Sequence, residues 1–158
     1  PKERNEHQIV VDDIMVELSR FGDLDVGDTL AVELPTLFHL KTEISVLFRE
    51  EPQFEAIVRA LHPTPALGVS PRTLGFNEIV RWDDVKWRGR YGAPFGVYAI
   101  DEHGQPLLEC AVAIRNIRWH DGVTRLSSGC GIVPESKLAN EWNELATKRD
   151  SVKRILGV

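Results

Sequence analysis

Between residues 6 and 21 the apolar side chains Val10, Ile14, Leu18 and Phe21 return every three or four positions. That is the spacing of one helical face, and Gly22 offers a stop. Asn5 fits the N-cap, which places Glu6 in the first turn. The period then drops to two. Residues 29–34 read as one strand and 37–48 as a longer one, with Phe38, Leu40, Thr42, Ile44, Val46 and Phe48 on one face. His39, Lys41, Glu43 and Ser45 take the other face. Pro52 opens a short helix carrying Phe54, Ile57, Val58 and Leu61. The two prolines within 62–68 exclude regular helix and central strand, because each fixes φ and removes a donor. Ser70-Pro71 then caps another helix, running to about Trp82. Strands at 94–100 and 107–119 flank the turn-prone 101–104, and His120-Asp121-Gly122 turns the chain into a strand at 123–127. Gly129-Cys130-Gly131 breaks that pattern, and Ser136 caps a final helix ending at Gly157.

Runs of strands between helices predict an α+β fold with a largely antiparallel sheet and packed helices. No repeat, low-complexity tract or linker interrupts residues 1–158, so a single domain is expected. A chain of this length buries about two-thirds of its extended surface. Charge narrows the partners: a net charge of -5 at pH 7 argues against a nucleic-acid surface. A net negative protein that binds an anion must gather its cations in one place. No stretch approaches the ~18 apolar residues of a membrane helix, so neither membrane nor nucleic acid is expected as a partner. Cys110 and Cys130 form neither a disulfide framework nor a metal-ligand spacing, and they read as reduced cytoplasmic thiols. The chain starts at Pro1 without Met, inside a helix entry, which suggests a fragment of something longer.

Several residues carry candidate chemistry. In the last helix Glu141, Glu144 and Lys148 lie within about 60° of one another, beside an apolar stripe of Leu138, Leu145, Val152 and Leu156. Most such stripes are solvated faces, and Glu144 with Lys148 is a favoured i,i+4 pair. The other reading is a cation held by the carboxylates and a substrate carboxylate met by Lys148. Glu3, Glu6 and His7 open the first helix, where acidic residues suit the dipole without any further role. His39 is either a surface histidine or a hydrogen-bonded one. Arg115 shares a period-2 face with Ala111, Ala113 and Ile117, so as a charge among small apolar neighbours it needs an internal acidic partner or a bound carboxylate. Gly129-Cys130-Gly131 is a plain turn or a set of backbone N–H groups open to an anion. Tyr91 packs or offers its hydroxyl.

Taken in order, the stretches Lys2-Glu3-Arg4-Asn5-Glu6-His7, Phe38-His39-Leu40-Lys41-Thr42, 62–68, 88–96, 112–115, 129–133 and 141–148 resemble the C-terminal part of the chorismate-utilising enzymes. These include anthranilate synthase component I, aminodeoxychorismate synthase component I, isochorismate synthase and salicylate synthase. The wording His62-Pro63-Thr64-Pro65-Ala66 and Gly129-Cys130-Gly131-Ile132-Val133 is most similar to isochorismate synthases of menaquinone or siderophore biosynthesis.

The resemblance implies roles. Glu6 and Glu144 match direct Mg²⁺ ligands, and Glu3 and Glu141 the acidic shell that reaches the ion through water. Arg115 and Tyr91 match residues gripping the enolpyruvyl carboxylate, with backbone N–H groups of Gly129, Cys130 and Gly131. Lys148 matches a carboxylate-binding lysine and His39 a histidine lining the ring pocket. The implied reaction adds water at C2 of chorismate with loss of the C4 hydroxyl. The family's base lysine and acid glutamate lie upstream of the matched part, so this segment alone is expected to be inactive and to need the missing N-terminal part. Salicylate synthase, another chorismate-utilising enzyme, or an inactive binding module with the same fold are the alternatives. Two departures stand out: Val69 where the family has a second glycine, and an extra residue near Trp82-Asp83-Asp84. Exposed apolar faces, and hence self-association, are also expected of a truncated domain.

Overall fold

The computed structural model describes residues 2–34, 37–75, 77–82 and 88–157. Asp83 and Asp84, the site of the second departure, lie outside them. The chain divides into two compact units, Pro1–Ile79 with Gly131–Ser136, and Val80–Cys130 with Lys137–Val158. The α+β expectation holds, but the antiparallel strands form four separate two-stranded pairs rather than one sheet among the described residues.

In the first unit, helix α1 (Lys2–Leu18) starts earlier than expected, so Asn5 is inside the helix and Glu3 holds the first turn. Its Val11 and Leu18 are buried, with Ile14 half-buried between them. The helix stops before Phe21, and Gly22 begins strand β1 (Gly22–Val26) instead of merely ending a helix. That strand escapes the pattern because Gly22-Asp23-Leu24-Asp25-Val26 has just two large apolar residues. Strands β2 (Leu30–Leu34), β3 (Leu37–Lys41) and β4 (Ile44–Phe48) follow. The single long strand expected over 37–48 is thus cut at Thr42-Glu43: β3 pairs with β2, and β4 with β1. The break spans two residues, so the alternation is unbroken across it. Leu40, Thr42, Ile44 and Val46 are half-buried while Lys41, Glu43 and Ser45 are exposed.

Helix α2 (Phe54–Leu61) packs on α1. The helix expected from Ser70 to Trp82 is two pieces, a 3₁₀ turn Arg72–Leu74 and helix α3 (Asn77–Trp82). Gly75 separates them with φ of 74°, a left-handed value that no regular helix continues through. Arg72 ties this stretch to α1. Its Nε and Nη2 donate to the two oxygens of Asp13, at 2.5 Å each, while Nη1 and Nη2 donate to the Ala60 and Leu61 carbonyls at 2.9 and 3.2 Å. The fork therefore satisfies an acidic partner and two of the orphan carbonyls that end α2. Arg72→Ala is expected to cost roughly 1.5–3 kcal/mol, the range for hydrogen bonds to charged groups. Arg72→Lys should recover less than half, because an ammonium cannot fork. Urea midpoints at constant slope check both.

In the second unit, β5 (Pro94–Ile100) and β6 (Pro106–Val112) form a seven-pair hairpin. Strand β7 (Ile117–His120) pairs with β8 (Val123–Leu126). Asp121 and Gly122, at φ 49° and 71°, make the tight turn that the Asp-Gly pair favours. The strand expected over 107–119 is interrupted: 113–116 leave the sheet, and Arg115 sits at φ 54°. The unit closes with α4 (Leu138–Leu156), capped by Lys137 rather than Ser136 and stopped by Gly157 at φ 72°. Ser136 Oγ accepts from the Val133 N–H at 3.1 Å. No helix of the described residues is long and apolar enough to cross a membrane.

Candidate active site

An amphipathic helix should turn its leucines inward and its charges outward. Helix α4 does the reverse along part of its length. Leu138 is 83% exposed, whereas Glu141 is 4% exposed and Val152 5%. Glu144, Leu145 and Lys148 are half-buried on that same side. The expected apolar stripe is therefore corrected: Leu145 and Val152 face in, Leu138 and Leu156 face out. The polar stripe is part of the inward face. A buried carboxylate is retained at such a cost only when something compensates it.

Lys148 is the hinge of this arrangement. Its ammonium pairs with Glu144 one turn away and donates to the Gly129 carbonyl at 2.9 Å. Arg149 beside it donates to Ser128 Oγ at 3.0 Å. Two consecutive helix residues thus anchor two consecutive loop residues. The sequence reading foresaw neither anchor, because contacts 19 and 21 positions apart leave no mark in spacing.

The same loop meets Tyr91. A Cβ at Gly129 would lie 3.2 Å from the Tyr91 hydroxyl, and the Gly129 backbone hydrogen-bonds to that hydroxyl. Burial pushes the phenol above its ordinary 10.0, while Arg115, the Gly129 bond and Arg88 pull the other way. A phenol that accepts from Gly129 keeps its own proton available to donate. The second unit therefore brings together Tyr91, Gly129, Lys148 and Glu144, with Arg115 in electrostatic reach of Tyr91. The sequence reading of Arg115 needs correction. It is exposed on a left-handed bend, not a strand residue among small apolar neighbours, so no internal acid is required. Cys130 is half-buried and Cys110 exposed, and both are free cysteines.

Tyr91 sets an alkaline limit. The folded state holds its proton more tightly than the unfolded chain does, so its contribution is complete below pH ~10 and fades as pH rises through the higher folded value. Thermal melts above pH 10 should lose stability more steeply in the parent than in Tyr91→Phe.

In the first unit, Glu6 is half-buried and pairs with Lys2 at 3.0 Å. A Cβ at Gly131 would stand 3.1 Å from the Glu6 carboxyl carbon, so this glycine lets the loop backbone approach that carboxylate. Glu3 is exposed. His7 Nε2 lies 2.8 Å from Thr42 Oγ1, which lies 2.8 Å from Thr29 Oγ1. Burial and then the charge of His39 lower the His7 pKa. His39 itself is exposed on β3, opposite Val32. The His7–Thr42–Thr29 chain was not anticipated, because Thr42 reads as one more member of an apolar face.

The four expected metal ligands fall two to a unit, Glu3 and Glu6 on α1, Glu141 and Glu144 on α4. Among the described residues, no group of three or more His, Cys, Asp or Glu side chains could hold a metal ion. In donor chemistry the set still suits Mg²⁺. The ion takes oxygen ligands, and one or two carboxylates commonly suffice when water and substrate oxygens supply the rest.

Comparison with known proteins agrees with these motifs. A family model described as chorismate binding enzyme matches residues 1–157. The salicylate biosynthesis isochorismate synthase of Pseudomonas aeruginosa is 32% identical over 157 residues, covering 98% of this chain and 32% of that protein. Isochorismate synthase MenF of Bacillus subtilis is 36% identical over 119 residues, 75% of this chain and 24% of its own length. Anthranilate synthase component 1 of Aeropyrum pernix is 30% identical over 164 residues, 99% of this chain and 36% of its own. The matched stretch thus spans between about a quarter and just over a third of the length of these relatives.

Proposed function

This chain belongs to the chorismate-binding enzyme family, and from that premise we propose that it is the metal- and carboxylate-binding part of an isochorismate synthase. The observation that carries the proposal is the inward turn of Glu141, Glu144 and Lys148 on α4, with Lys148 fixed to Gly129. A solvated stripe would have no reason to bury Glu141.

In this reading the ring and enolpyruvyl carboxylates of chorismate are held by different groups. Arg115 and the Tyr91 hydroxyl take the enolpyruvyl carboxylate, helped by backbone N–H groups of 129–131. Exposure suits Arg115 to that task, because a guanidinium without a buried acid can form a bidentate pair with an incoming carboxylate. Lys148 neutralises a carboxylate near the ion, and His39 borders the ring. Glu6 and Glu144 would hold Mg²⁺, with Glu3 and Glu141 acting on its waters. When bound, Mg²⁺ supplies Lewis acidity and charge neutralisation for the ring carboxylate. The lysines on Glu6 and Glu144 keep those carboxylates compensated in its absence. Water addition at C2 and loss of the C4 hydroxyl need a base and an acid, which we assign to the portion of the enzyme outside these 158 residues.

Matches to anthranilate synthase component 1 favour a second reading, amine transfer to the same substrate. The His62-Pro63-Thr64-Pro65-Ala66 wording argues for isochorismate. A chimera in which this chain replaces the matching stretch of the Pseudomonas aeruginosa relative decides between them. With chorismate and Mg²⁺ it should release isochorismate, and these 158 residues alone should release none. Anthranilate formed in the presence of ammonia, or salicylate as the accumulating product, would overturn the assignment.

A further inference from the structure

Arg115 stands at φ 54°, a left-handed bend that a residue other than glycine holds only where its surroundings fix it. Those surroundings are the turn that carries Tyr91. Ahead of the bend, the Ala113 N–H donates to the Ala93 carbonyl at 2.8 Å, and the Ala113 carbonyl accepts from the Gly92 N–H at 2.9 Å. The Asn116 amide closes the bend from within by donating to the same Ala113 carbonyl. Beyond the bend, on β7, the half-buried Arg118 reaches back to Gly89. A Cβ at Gly89 would lie 1.8 Å from Arg118 Nη1 and 2.9 Å from its Cζ. Gly89 stands at φ 53°, so glycine is required there twice, for the backbone angle and for the room it leaves the guanidinium. Tyr91 lies between the two points of attachment, in a turn where its own N–H donates to the Arg88 carbonyl at 3.0 Å. The strand pair does not itself call for an arginine at 118, since Arg125 lies directly opposite and like charges there cost stability.

We infer that Arg118 is a positioning residue for the carboxylate grip: together with the Ala113 bonds it brackets residues 113–118 against the 88–93 turn, and so sets Arg115 and Tyr91 relative to one another. The inference rests on the reading of Arg115 and Tyr91 as the groups that take the enolpyruvyl carboxylate. Arg118 needs no contact with the substrate. The cations that act on the Tyr91 phenol are Arg115 and Arg88, so the influence of Arg118 runs through the turn.

Substitutions in the chimera described above test it. In Arg118→Ala, amides in peptides covering 88–93 and 112–118 should exchange at least ~10-fold faster than in the parent, while those of α1 keep their rates. Chorismate should bind about 5- to 30-fold more weakly, the scale of coupling between residues in contact. In a chain already carrying Tyr91→Phe and Arg115→Ala, Arg118→Ala should change chorismate affinity less than ~2-fold, because the groups it positions are gone. NMR titration reads binding that weak. Arg118→Lys keeps the stem and the charge, which guards against simple unfolding, but brings no planar head to Gly89. It should fall between Arg118→Ala and the parent in both exchange and affinity. Unchanged exchange in 88–93 and 112–118 overturns the inference. So does an undiminished effect of Arg118→Ala in the doubly substituted chain, or an affinity that Tyr91→Phe lowers and Arg118→Ala leaves alone. Faster exchange, with an affinity that none of the substitutions moves, leaves Arg118 as the clamp between the two stretches and counts against the proposed function alone.

Discussion

Lys148→Ala should weaken chorismate binding by roughly 10- to 150-fold, the equivalent of ~1.5–3 kcal/mol for a charge-assisted hydrogen bond. Two contacts disappear with the ammonium. One holds the Gly129 carbonyl and so the loop that meets Tyr91, and the other balances Glu144. Losing the first loosens the loop; losing the second leaves a half-buried carboxylate facing an anionic substrate. Arginine should not rescue, because its larger planar head does not fit the place from which a compact ammonium reaches Glu144 and the Gly129 carbonyl. Calorimetric titration of the chimera with chorismate in Mg²⁺ gives the ratio directly.

Glu144→Gln separates the metal from the lysine. It keeps the side-chain shape and removes the charge that would bind Mg²⁺. The Mg²⁺ concentration needed for half-maximal chorismate binding should rise by at least ~10- to 100-fold, the scale seen even for outer partners of metal ligands. Chorismate binding without Mg²⁺ should not weaken, since Lys148 is released from its i,i+4 partner to meet the substrate. Combining Glu144→Gln with Lys148→Ala should give less than the sum of the two losses, because the side chains share a contact. No change in Mg²⁺ requirement would return both residues to an ordinary helical ion pair.

What the residue pattern disclosed was adjacency along the chain; what it hid was direction. The common face of Glu141, Glu144 and Lys148 was legible from 100° per residue, but hydrophobicity pointed that face toward water. The structure buries Glu141 and exposes Leu138. Local rules of this kind fail where function overrides them, and here the failure marks the candidate site. The hairpin turns were legible because Asp121-Gly122 and 101–104 carry their backbone preferences in residue type. The bend at Arg115 was not, since an arginine at positive φ gives no advance sign. Nor was the cut at Thr42-Glu43, which preserves the alternation on both sides. Arg72 and Asp13, 59 positions apart, show the remaining limit: a long-range ion pair has no signature in spacing.

The central claim is that the 129–131 loop and the inward face of α4 receive chorismate with Mg²⁺. Backbone amide NMR of the 158 residues, titrated with chorismate in the presence and absence of Mg²⁺, tests it most directly. The account predicts Mg²⁺-dependent shifts at Gly129, Cys130, Gly131, Arg115 and the Glu144–Lys148 turn. Shifts confined to other surfaces, or the same shifts regardless of Mg²⁺, would contradict it.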